Sequence, residues 1–193
     1  MPREKKFDID DAIDRATEVF WAKGYEATSL ADLLDAIGIK KGSFYNAFGS
    51  KKQLFTKSLL KYDQEQRRKI LVNLSSLNSP VDAISNLFDG LIAQSLADDK
   101  KKGCLLVNTA LDLPNHDADT EVIVQQSMAE LETFFVDQIK LGIQQGSINS
   151  SLNVETSAKG LLTLVTGLRV LARGVFDEKG LKSIKSQALN LIF

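Results

Sequence analysis

Nine cationic side chains lie between Gly38 and Lys69: Lys40, Lys41, Lys51, Lys52, Lys57, Lys61, Arg67, Arg68 and Lys69. Only Asp63 and Glu65 oppose them, so this stretch carries +7. Residues 1–37 hold five basic and nine acidic residues, and residues 73–193 hold ten and fourteen, so each flank carries −4 and the whole chain −1. A short basic stretch in an otherwise acidic chain is the pattern of a local phosphate-binding surface; the plainer alternative is one solvated face of a long helix. Other chemistry is sparse. The single Cys104 and single His116 stand twelve positions apart with Pro114 between them. No Ser-His-Asp order, Gly-rich phosphate loop or HExxH motif is present, and one His with one Cys does not make a metal site. An enzyme is therefore not expected, and neither a cofactor nor a metal is implied. Cys104 follows Lys100-Lys101-Lys102-Gly103, and nearby positive charge favours a thiolate. It is either a reactive sensor or an inert buried thiol.

The elements that must position the basic residues are helical. Ile9, Ile13, Ala16 and Phe20 recur at spacings of four, three and four, which predicts an amphipathic helix over 8–23 ended by Gly24. Thr28-Ser29 offers hydroxyl caps for a second helix whose apolar face is Leu30, Leu33, Leu34 and Ile37 and whose end is Gly38. A third short helix near 40–47 offers Phe44, Ala47 and Phe48 for burial. Ser50 then caps a long helix expected over 51–72. Beyond the polar break at 73–80, apolar periodicity predicts helices near 81–97, 104–112, 118–145, 154–173 and 178–191. No strand pattern is sustained. The expected fold class is all-α: an N-terminal three-helix helix-turn-helix domain (1–58, motif 29–48) joined by a long helix to a C-terminal helical bundle (59–193).

Two short helices joined by a Gly-containing turn, the second bearing small and basic residues, describe a helix-turn-helix. Phe20-Trp21-Ala22-Lys23-Gly24-Tyr25-Glu26-Ala27-Thr28-Ser29-Leu30, then Gly38-Ile39-Lys40-Lys41-Gly42-Ser43-Phe44-Tyr45, then Phe48 with Ser50-Lys51-Lys52-Gln53-Leu54-Phe55, resemble the N-terminal domain of TetR-family regulators. The resemblance covers about residues 8–58. It departs from the family's pattern at Leu34 and Ile37, where Ala is more frequent. The remaining two-thirds of the chain is similar only in being helical and of suitable length.

The resemblance implies contacts to double-stranded DNA. Thr28 and Ser29, at a helix N-terminus, are expected to meet a phosphate. Lys40, Lys41, Gly42 and Ser43 begin the helix that enters the major groove, where Gly42 lets the backbone approach closely. Tyr45, Lys51 and Lys52 are expected at the phosphate backbone, and Asn46 at a base edge or phosphate. Lys40, Lys41, Ser43 and Asn46 are the candidate base readers.

A homodimer on a palindromic operator is also implied, because one such helix reads only a few base pairs. Leu161, Leu164, Val165, Leu168 and Leu171 are the interface candidates, a fully buried central helix being the alternative. A small-molecule effector is implied in turn. Phe88, Leu91, Cys104, Leu131, Phe134, Phe135 and Leu162 are the candidate pocket lining, although such stripes also make plain core. Asn108, Thr109 and Gln138 are possible polar groups for it. The sequence thus points to a ligand-responsive regulator, most simply a repressor. The competing reading is a protein-interaction module with an unused helix-turn-helix. The single Cys, the absence of an apolar leader at Met1–Lys6 and the absence of about 18 consecutive apolar residues make a cytoplasmic protein without membrane association the expectation.

Overall fold

The computed structural model describes residues 7–193, in two compact units that meet at Tyr62 and Asp63. The start, Met1–Lys6, from which the absence of a leader was read, lies outside the described residues. No described helix is long and apolar enough to cross a membrane.

The unit ending at Tyr62 contains α1 (Ile9–Lys23), α2 (Leu30–Ile37), α3 (Lys41–Phe48) and α4 (Lys51–Tyr62). Asp8 caps α1 by accepting from the N–H groups of Asp10 and Asp11. The buried face of α1 is Ala12, Ile13, Ala16 and Phe20. Ile9, expected on that face, is exposed instead, because it occupies the first helical position, before the helix has reached its neighbours. Phe20 meets Phe55 of α4 edge-on with ring centroids 5.0 Å apart, and Tyr25 packs against the same Phe55 at 4.9 Å. Leu33 and Ile37 of α2 and Phe44 and Phe48 of α3 complete the core. Leu34 is half-buried and Ile37 buried, so both departures from the family pattern fall in packing positions. The turns need glycine where the chain reverses: Gly24 and Gly38 have φ of 81° and 77°, a region that a Cβ disfavours.

The second unit begins with a correction to the expected helix. Residues 51–72 are not one α-helix: α4 ends at Tyr62, Asp63–Arg68 forms a π-helical turn, and α5 (Lys69–Ser75) follows. The cause is visible in the side chains. Asp63 is buried, and its carboxylate takes the Arg67 guanidinium through Nε at 2.5 Å and Nη2 at 2.9 Å. Glu130 accepts from Arg67 Nη2 at 2.7 Å and from Arg68 Nε and Nη2 at 3.1 and 2.9 Å. Burial opposes the charge on Arg67, but the hydrogen bonds to Asp63 and Glu130 outweigh it and hold the guanidinium protonated more firmly than in water. A π-turn costs regular hydrogen bonding and persists where side-chain contacts favour it.

The bundle continues with α6 (Pro80–Leu96), α7 (Leu105–Leu111), α8 (Ala118–Gln144), α9 (Val154–Leu171) and α10 (Glu178–Asn190). Ser79, Asp117, Asn153 and Asp177 cap four of them with side-chain oxygens. Its core joins Ile84 and Phe88 of α6, Phe135 and Ile139 of α8, Leu161 and Leu168 of α9, and Leu181 and Ala188 of α10.

Without Asp63, Arg67 and Arg68 share the single Glu130 carboxylate and one positive charge is in excess; losing one partner of a buried ion pair costs about 3–5 kcal/mol. Asp63→Ala is therefore expected to lower the stability of the second unit by that order. Asp11→Ala, which breaks the exposed Asp11–Arg15 pair, should cost under about 1 kcal/mol. Urea unfolding followed by far-UV circular dichroism compares the two.

Candidate nucleic-acid interface

Three glycines punctuate the region from α1 to α4, and each ends a helix. Gly24 donates its N–H to Phe20 O, Gly38 to Leu34 O and Gly49 to Tyr45 O. These stops keep α2 and α3 at eight residues each, short enough for α3 to be held by two side chains. Phe44 and Phe48, four apart, face inward with ring centroids 5.6 Å apart. The opposite face of α3 and its approach are left to Lys40, Lys41, Gly42, Tyr45 and Asn46, all exposed, and to the half-buried Ser43. The Lys41 ammonium lies 6.0 Å from the centre of the Tyr45 ring. Lys52 is exposed, and Lys51 rests over Tyr25 with its ammonium 4.3 Å from the ring centre, a cation–π contact that holds the charge at the surface.

The starts of α2 and α3 contrast. Ser29 and Asp32 form a reciprocal capping box. The Ser29 hydroxyl accepts from the Asp32 N–H at 3.1 Å and donates to Asp32 Oδ2 at 2.8 Å, while the Ser29 N–H donates to the same carboxylate at 2.8 Å. Lys23 of α1 adds an ion pair to Asp32 at 2.6 Å. The Lys23 hydrogen bond, followed by those from Ser29, holds the Asp32 carboxyl well below the usual carboxylate range. Thr28 is buried, its hydroxyl donating to Gly24 O at 2.6 Å and its N–H to Tyr25 O. Thr28 and Ser29, expected to meet a phosphate, therefore have their hydroxyls and N–H groups engaged within the protein, with the Asp32 carboxylate beside them. At α3, by contrast, Lys40 is the N-cap residue, no side chain caps the first turn and no acid lies in it. Its positive dipole end is open.

The other sites expected from sequence fare unevenly. On α9, Leu161, Val165 and Leu168 are buried within their own bundle and so are core, not interface; Leu164 and Leu171 are half-buried. Among the expected pocket residues, Phe88, Leu91, Leu131 and Phe135 are packed in the core, and Leu162 lies half-buried against it. Phe134 alone of that set lines the open groove of about 490 Å³ that runs between the π-turn with α5 and one face of α8. Cys104 is half-buried at the start of α7. Asn108 donates to Lys102 O and accepts from Arg173, Thr109 donates to Leu105 O, and Gln138 is buried with no partner for its Oε1 among the described residues.

A rigid short helix with an open, basic N-terminal end and a polar outer face, held by a second short helix at a glycine turn, defines a helix-turn-helix DNA-binding protein. Comparison with known proteins agrees. Residues 12–57 match the family described as "Bacterial regulatory proteins, tetR family", and residues 80–186 match "Tetracyclin repressor-like, C-terminal domain". The uncharacterized HTH-type transcriptional regulator YezE of Bacillus subtilis (strain 168) is 30% identical over 149 residues, 77% of each chain. The HTH-type transcriptional repressor ComR of Escherichia coli (strain K12) is 29% identical over 190 residues, covering 98% of this chain and 90% of ComR. Among solved structures, a cysteine mutant of the TetR family regulator CifR complexed with 26-base-pair operator DNA superposes with a TM-score of 0.85 at 29% identity, over 100% of both chains. The chain belongs to the TetR family: it is a DNA-binding transcriptional regulator and not an enzyme.

Two glycines of this site predict opposite outcomes. A Cβ at Gly42 meets nothing within 4 Å, and its φ lies outside the left-handed region. Gly42→Ala should therefore stabilise the fold by up to about 1 kcal/mol through helix propensity; weaker operator binding alongside it is expected if the exposed face of α3 meets DNA. Gly38→Ala places a Cβ at φ 77° and should destabilise by about 1 kcal/mol. Thermal melts paired with operator titrations separate the two. Asp32 yields a pH prediction. Its folded pKa is depressed, so the stability it contributes is complete above the ordinary aspartate value of about 3.9 and is lost as pH falls toward the lower folded value. Asp32→Asn should be less stable than the wild type at pH 7, and the gap should narrow steadily below about pH 4 in urea titrations.

Proposed function

We propose that this chain is a ligand-released repressor that acts in the cytoplasm as a homodimer on a palindromic operator. The observation that carries the reading is the asymmetry of α3: Phe44 and Phe48 fix one face, while the other exposes Lys40, Lys41, Gly42, Tyr45 and Asn46 with an uncapped N-terminus. Packing alone requires none of those outer residues. A helix so held enters a major groove with its first turn toward the bases. In this reading Lys40, Lys41, Ser43 and Asn46 read base edges, and Tyr45, Lys51 and Lys52 meet phosphates. ComR is named a repressor and CifR was solved on operator DNA, and both support the sign and the target.

For the dimer, the face of α9 carrying Gly160, Leu164, Gly167 and Leu171 is half-buried, and a Cβ at Gly167 would meet nothing within 4 Å. Val175 and Phe176, just after α9, are exposed. An apolar face with a gap at Gly167 accommodates the close approach of a second copy of the same helix; Gly160 is covered by Leu191 of the same chain. In such a dimer, effector binding favours a state whose two α3 helices are wrongly spaced for successive major grooves, about 34 Å apart.

The test is operator selection with the purified protein, followed by titration across salt concentrations. A specific, strongly salt-dependent complex is expected. Lys51→Ala should weaken binding to all sequences alike and lower the salt slope by about 1, whereas Lys41→Ala should change which bases are preferred. Binding without sequence preference would refute the repressor reading in favour of an interaction module.

A further inference from the structure

The groove beside the π-turn is built from two facing helical stripes. Arg68, Leu71 and Val72 line it from the π-turn and α5, and Glu130, Phe134 and Asp137 from α8. Spacings of three, four and seven put each stripe on one face of its helix. The charges differ in state. Arg68 and Glu130 neutralise each other through two hydrogen bonds, and Glu130 also holds Arg67. Asp137 is exposed and has no ion-pair or hydrogen-bond partner among the described residues. The unanswered charge of the groove is therefore a single negative one, lying beside an apolar floor of Leu71, Val72 and Phe134. Phe134 stands between the two acids, four residues after Glu130 and three before Asp137, and an aromatic ring flanked by carboxylates favours a cation.

We infer that this groove binds an organic cation with an apolar body, its ammonium seated by Phe134 near Asp137 and its hydrocarbon over Leu71 and Val72. The volume of about 490 Å³ suits a small drug-sized molecule. This rests on the ligand-responsive reading above and specifies the ligand class. The site also has a built-in output. Glu130 is one of the residues that hold the π-turn and lies one helical turn from Phe134, so a cation at Phe134, between the two acids, weakens the hold of Arg67 and Arg68 on its carboxylate. Occupancy thereby loosens the turn that directly follows α4 in the chain. Release of a π-turn into regular α-helix shifts the register of all that follows by one residue, about 1.5 Å of rise and 100° of rotation.

The experiment uses the full chain and three probes with one body: 6-phenylhexyl-trimethylammonium, 6-phenylhexan-1-ol and 6-phenylhexanoate, each titrated by calorimetry. The ammonium probe is expected to bind at least tenfold more tightly than the other two. Asp137→Asn should abolish that preference, while Glu132→Gln, which removes the same charge from α8 outside the groove lining, should retain it. Hydrogen exchange at amides 63–71 should accelerate on saturation with the ammonium probe. Equal binding of all three probes, preference for the carboxylate, no binding, or a preference that survives Asp137→Asn would each overturn the assignment. Binding with unchanged exchange at 63–71 would overturn the coupling. Operator binding is measured separately on the same preparations. A protein that binds its operator and is released by compounds insensitive to Asp137→Asn would lose this site and keep the regulator function.

Discussion

The DNA-binding unit depends on the burial of Phe44 and Phe48. An eight-residue helix is too short to be stable alone in water, so α3 exists only because these two rings anchor it. They also set its orientation: with both phenylalanines inward, the helical period forces Lys41, Tyr45 and Asn46 outward. The same rings need a floor, which Leu54, Phe55 and Leu59 of α4 and Phe20 of α1 help provide in the shared core. Function and stability are thus divided by face on one helix. The residues that would touch DNA contribute little to folding, and those that fold it are out of DNA's reach.

Capping follows the same division. The start of α2 is closed by its own Ser29–Asp32 box and by Lys23, which lock α2 to the end of α1 and give α3 a fixed support. Leaving α3 uncapped forgoes a favourable interaction of about 1 kcal/mol but keeps its N–H groups and dipole available to an anion. A support helix and a reading helix have opposite requirements at their N-termini, and these two adjacent helices meet them in opposite ways.

Most of the architecture was legible in the sequence because glycines mark the stops and apolar spacing marks the faces. α1, α2, α3 and the five bundle helices lie within a few residues of their expected spans. What was not legible was decided by burial and packing. Thr28 reads as a cap residue locally, yet its hydroxyl turns back to Gly24 O, a choice decided by burial. The π-turn depends on Glu130, 63 residues from Arg67. On α9, apolar residues cover more than one face, and the packing of α8 and α10 decides that Leu161, Val165 and Leu168 are core while Leu164 and Leu171 are not. Phe88 and Phe135, read from the sequence as pocket candidates or plain core, are packed in the bundle core.

The basic stretch that first suggested phosphate binding proves to be two populations. Lys61 pairs with Asp14 at 2.5 Å, and Arg67 and Arg68 pair with Asp63 and Glu130. Those three cations serve the fold, and their charge is answered locally. The +7 of residues 38–69 therefore overstates what DNA would meet. Lys40, Lys41, Lys51, Lys52 and Lys57 lie on the helix-turn-helix unit, and Lys69 begins α5. Chemistry follows the same split: the flexible, strongly hydrated lysines lie exposed or half-buried on the helix-turn-helix unit, and the two arginines lie where planar guanidinium groups hold carboxylates in fixed geometry. Clustering of charge in sequence does not make this distinction; the partners of each side chain do.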